Sequence, residues 1–162
     1  MNIGFPAPSH VRRGAMALCL GVAALSFATA AAQPVETRSM ATTHGFAQLL
    51  ERLEGAVAAN GMAVVAAASA SRGAAARGIT IPGNAVVMVF RNDYAVRMLE
   101  ASVPAGIEAP LRFYVTENAD GTATLSWRAP SSVFAPYGSA ALDAMAAELD
   151  AIFETIADDA AR

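Results

Sequence analysis

The chain has 162 residues, 55% of them hydrophobic, which is enough for one domain with a buried core. It carries no lysine, one cysteine, two histidines and 11 arginines against 14 acids, for a net charge of −3. An acidic chain with scattered arginines argues against a nucleic-acid partner, and the missing lysine excludes Schiff-base chemistry.

The chain opens with the pattern of an export signal. His10, Arg12 and Arg13 form a basic start, Ala15 to Ala28 is an uncharged apolar run, and small residues follow from Thr29 to Ala32. A membrane-spanning helix needs about 20 apolar residues, and this run is shorter. Ala30-Ala31-Ala32 fits the A-x-A cleavage pattern. The expected organisation is therefore a signal peptide over residues 1–32 and a single domain over 33–162. The product is expected to be periplasmic or secreted, with no membrane anchor after cleavage.

Cleavage changes the chemistry left behind. It removes Cys19, His10, Arg12 and Arg13, so nine basic residues minus fourteen acids give a net charge of −5. No disulfide or thiol nucleophile remains. His44 alone cannot assemble a zinc site of His and Cys ligands. There is no G-x-S-x-G nucleophile turn and no glycine-rich phosphate loop.

In chain order, Val35 to Met40 is expected to be an edge strand. Phe46, Leu49, Leu50, Leu53 and Val57 recur at helical spacing, with Thr43 as the predicted cap and Asn60-Gly61 as the stop. Met62 to Ala67 reads as a short apolar strand. Ala68 to Arg77 reads as a loop with one helical turn, and Ile81 to Asn84 as a turn. Ala85 to Phe90 is continuously apolar and reads as a central strand. Asp93 is the predicted cap of a short helix reaching Ser102, and Pro104 to Pro110 is a connection.

The hairpin is the best-specified segment. Leu111, Phe113 and Val115 alternate with Arg112, Tyr114 and Thr116; Ala123, Leu125 and Trp127 alternate with Thr124, Ser126 and Arg128. Opposed residues must share a face, so Phe113 pairs with Trp127 and Val115 with Leu125. Ala119-Asp120-Gly121 is then the loop, with Gly121 in the left-handed position. A final helix starts near Ser139 with the apolar stripe Leu142, Met145, Leu149, Ile152, Phe153 and Ile156. Asp143, Asp150, Glu154 and Asp158 form its solvated side. Asp158-Asp159 oppose the helix dipole, so the tail is expected to fray.

These elements give an α+β fold: a single antiparallel β-sheet with helices packed on one side, in the order strand, helix, strand, strand, short helix, hairpin, helix. The chain resembles the domain of unknown function family 302 (DUF302). The matching pieces are Phe46 through Leu53 with Gly61-Met62-Ala63-Val64, then Ala74 with Gly78-Ile79, and Val86 through Asp93. Ala105 through Arg112, Asp120-Gly121 and Leu125 through Pro130 complete them. The resemblance implies a compact α+β domain with one antiparallel sheet, often dimeric, and no established reaction. The family commonly has Asp-His after its second strand, where this chain has Ser69-Ala70, and Gly-Asn-Pro after the third, where it has Arg91-Asn92-Asp93.

Arg91, Asn92 and Asp93 leave a strand and enter a helix start, where free N–H groups attract anions. Arg91 is the expected partner of a carboxylate or phosphate on a small anionic ligand, and His44 is the other candidate binding residue. The opposing structural reading has Asp93 capping, Asn92 turning and Arg91 solvated. Met40, Met62, Met88, Met98 and Met145 are expected core fillers. Three function classes stand. The first is an exported ligand-binding or protein-interaction module, with a homodimer as a candidate assembly, that needs no cofactor. The second is an enzyme pairing His44 with Asp93 or Glu117. The third is a haem or metal carrier using His44 and a methionine. The first asks for the fewest special residues.

Overall fold

The computed structural model describes residues 35–162 together with Met1. The predicted signal peptide and its cleavage site lie outside the described residues. Strand β1 is Thr37–Ala41, helix α1 Phe46–Ala59, β2 Ala63–Ala68, α2 Ala70–Ala75 and β3 Asn84–Phe90. Helix α3 is Asn92–Ala101, and a 3₁₀ turn follows over Val103–Glu108. Strands β4 (Leu111–Glu117) and β5 (Ala123–Arg128) form the hairpin, then come α4 (Pro130–Phe134) and α5 (Ala140–Ala161). The strands form one antiparallel sheet in the order β1-β5-β4-β3-β2.

Alternation along the strands divides the sheet into two unlike faces. One face buries Val87, Val89, Phe113, Val115, Leu125 and Trp127. Helices α1 and α5 cover it, contributing Leu49, Leu53 and Val57 from α1 and Phe153 and Ile156 from α5. The Phe113 ring stacks on Phe153 with centroids 4.6 Å apart, and Trp127 tilts against Phe113 at 6.0 Å. No residue on the opposite face is buried. A second cluster joins Tyr94 and Met98 of α3 to Phe134 of α4 and to Leu142, Met145 and Leu149 of α5.

The hairpin register is the expected one: Phe113 opposes Trp127 and Val115 opposes Leu125. Gly121 has φ +82°, a left-handed conformation that glycine adopts without penalty. Ser139 caps α5, its hydroxyl accepting the Leu142 N–H at 3.4 Å.

Several local expectations are corrected. The first strand begins at Thr37 rather than Val35. Gly45, not Thr43, is the N-cap of α1. The threonine that matters is Thr42, whose hydroxyl donates to the Ala123 carbonyl at 2.8 Å and accepts the His44 N–H at 3.3 Å. Residues 81–83 approach β3 as irregular chain, without a defined turn. Strand β3 is interior as expected, pairing with β4 on one side and β2 on the other, but its apolar run is not wholly buried: Val86, Met88 and Phe90 lie on the half-exposed face. The N-cap of α3 is Arg91, and Asp93 sits in the first turn without capping. The end of α5 stays helical to Ala161 because Arg52 of α1 donates to the carbonyls of Ala160 (2.8 Å) and Asp159 (3.1 Å). Those are the last carbonyls of a helix, which have no partner within it.

Candidate functional site

The residues singled out from the sequence do not converge. Arg91 approaches Gly61, at the C-terminal end of α1. His44 precedes the N-terminus of the same helix. Fourteen residues of helix separate the two ends, about 20 Å at 1.5 Å per residue.

Arg91 already has its partners. Its Nε donates to Asp93 Oδ1 at 2.8 Å and a terminal nitrogen to Oδ2 at 3.0 Å. Its guanidinium lies 4.2 Å from the centre of the Tyr94 ring. Across that ring, the Arg97 guanidinium sits at 5.0 Å and grips Glu148 of α5 through two bonds of 2.8 Å. The Tyr94 hydroxyl donates to the same carboxylate at 3.0 Å. Bonds from Arg91 hold the Asp93 carboxyl below its ordinary range. Bonds from Arg97 and then Tyr94 pull Glu148 down to about 2. This chain of partners docks α3 onto α5. The cavity beneath Arg91 is about 30 Å³, room for no more than a water or two.

His44 Nε2 is buried without a protein hydrogen-bond partner. Glu117, its suggested catalytic companion, accepts the Gly83 N–H at 2.6 Å. Asn92 opens α3 as its first residue. Among the described residues, no three His, Asp or Glu side chains converge as metal ligands would.

The open face of the sheet carries the larger concavity. A hollow of about 520 Å³ is lined by Thr37, Val86, Arg112, Tyr114, Ser126 and Arg128. Sheet pairing puts them side by side: Val86 opposes Tyr114, Tyr114 opposes Ser126, and Thr37 opposes Arg128. Arg112 precedes Phe113 and Arg128 follows Trp127, and those two residues are partners, so the arginines are cross-strand neighbours. Neither forms an ion pair among the described residues. The nearby Glu108 borders both but accepts the Tyr137 hydroxyl at 2.9 Å instead. Sequence reasoning passed over this pair, although pairing Phe113 with Trp127 already implied it.

Residues 38–160 match the family model described as Domain of unknown function DUF302. The chain belongs to the DUF302 family. The fold also matches the crystal structure of an uncharacterized conserved DUF302 protein from Bacillus stearothermophilus. The two are 20% identical, and the match covers 78% of this chain and 98% of that one with a TM-score of 0.70. No curated protein matches the chain. In this DUF302 domain Ser69 caps α2, its hydroxyl accepting the Arg72 N–H at 3.1 Å. The position where the family commonly has Asp-His thus starts a helix here.

Two guanidinium groups, a phenol and two aliphatic hydroxyls can hold a ligand through hydrogen bonds and charge. Val86 adds an apolar wall. The polar side chains that line the hollow are hydrogen-bonding and cationic groups on the surface of a sheet.

Proposed function

We propose that this chain is an exported, non-catalytic module that binds a small ligand on the open face of its sheet. The hollow carries that reading. Its size falls within the range of small-ligand sites, about 300 to 1,000 Å³, and a few polar groups converge on an apolar wall there. Export is supported by the basic, apolar and small-residue order of residues 1–32. No described helix is long and apolar enough to cross a membrane.

Backbone amide mapping against a library of neutral, cationic and anionic small molecules tests the binding site. Shifts at Val86, Tyr114 and Ser126 are expected. Shifts confined to Arg91–Asp93, or none from any compound, would overturn it. Fractionation of cells producing the full chain tests export: the protein belongs outside the cytoplasm, and deleting residues 1–32 should hold it inside.

Self-association is a second reading, favoured by edge strand β2. All six of its residues are exposed and none is charged, and Val64 and Val65 face solvent. A bare edge of this kind invites pairing with another strand, here a second copy. Sedimentation should find a dimer that Val65→Lys reduces to a monomer; a monomeric wild-type protein would end this reading.

A further inference from the structure

We propose that the hollow on the open face takes a small oxyanion, a carboxylate or phosphate group, gripped jointly by Arg112 and Arg128. The inference rests on the open face being the binding surface, and it assigns the chemistry of that site.

The first argument is charge. Directly opposed like charges on neighbouring strands are destabilising, and their Cβ atoms sit about 5 Å apart. This protein has more acids than arginines, and it uses carboxylates to engage Arg38, Arg91, Arg97 and Arg162. Arg112 and Arg128 nevertheless stand together with no ion pair among the described residues, and Glu108, which borders both, accepts the Tyr137 hydroxyl instead. An anion between them removes the repulsion and satisfies both guanidinium forks.

The second argument is shape. A guanidinium presents parallel N–H donors that match the two oxygens of a carboxylate or phosphate. Two of them at one end of the hollow fit an oxyanion head. The neighbouring row Val86, Tyr114 and Ser126 fits the body of the ligand: an apolar wall, a ring and a hydroxyl.

Isothermal titration of the purified protein with inorganic phosphate, succinate and neutral succinamide tests the proposal. Phosphate or succinate should bind, with the preference between them naming the head group, and succinamide should not. Arg112→Gln and Arg128→Gln should each weaken binding by about tenfold or more, as lost charge-assisted hydrogen bonds do. Arg128→Lys keeps the charge but loses the fork, so it should fall between wild type and Arg128→Gln. Arg72→Gln, on α2, should bind as wild type does. Circular dichroism and thermal melting confirm that each variant is folded. Equal affinity in wild type and both Gln variants, or equal binding of succinamide, would overturn the proposal. Neutral compounds mapping to the hollow while both anions fail would overturn the anion assignment and leave the binding-module reading standing. Failure of every compound there would overturn both.

Discussion

Phe113, on the central strand, stacks on Phe153 of the C-terminal helix with ring centroids 4.6 Å apart. Both side chains are fully buried. The pair fastens α5 to the sheet, so Phe153→Ala both removes buried apolar area and leaves a cavity. The expected destabilisation is about 3 to 5 kcal/mol, measured by urea unfolding. Phe153→Leu should lose much less. A Phe153→Ala protein that unfolds at the wild-type midpoint would refute this placement of the helix.

Gly83 makes a close approach. A Cβ added there would lie 2.6 Å from Phe46 Cγ. The ring cannot yield without moving the start of α1, so Gly83→Ala should destabilise by about 1 to 3 kcal/mol, as overpacking does. Restoring space with Phe46→Leu in the same chain should recover part of the loss, a coupling that a double-mutant cycle measures.

Part of this architecture was legible in the sequence for a local reason. The hairpin register follows from period-two alternation together with the three-residue loop, because a shift of one residue would oppose Phe113 with Ser126. Ser139 and Gly121 act on backbone groups within three residues, so their roles also lie in the sequence. The fate of Arg91 was only half legible. Asp93 is two residues away, but Tyr94 and Arg97 reach Glu148 across 51 or more residues, and no spacing rule encodes that. Fraying of the last helix was expected from Asp158-Asp159 alone. The deciding partner, Arg52, arrives from α1. Arg112 and Arg128 were legible as a pair once their hairpin was registered, but the openness of that face depends on where both long helices pack.

Glu148 gives the fold a pH dependence with a definite sign. Its folded pKa of about 2 lies below the ordinary 4.5, first through Arg97 and then through Tyr94. A depressed carboxyl contributes stability that is present above its unfolded pKa. That contribution is lost as pH falls from about 4.5 towards 2. Melting temperatures recorded across that window should fall more steeply for wild type than for Glu148→Gln. Parallel curves would contradict the ion pair. High salt should weaken the effect, because both side chains are partly exposed.

Arg52 holds the end of α5. Arg52→Ala frees the carbonyls of Asp159 and Ala160, and the last turn should exchange its amide hydrogens faster. Global stability should drop by about 1 kcal/mol for the lost hydrogen bonds. Unchanged exchange from Ala157 to Arg162 would show that the helix end is held by packing alone.

The most direct test of the open face as an anion site is an NMR titration of the arginine side-chain Nε–H groups with succinate or phosphate. The account predicts that the Arg112 and Arg128 signals move together along one saturation curve, while those of Arg91 and Arg97, already held by Asp93 and Glu148, stay in place. Movement at Arg91 with Arg112 and Arg128 stationary would contradict it.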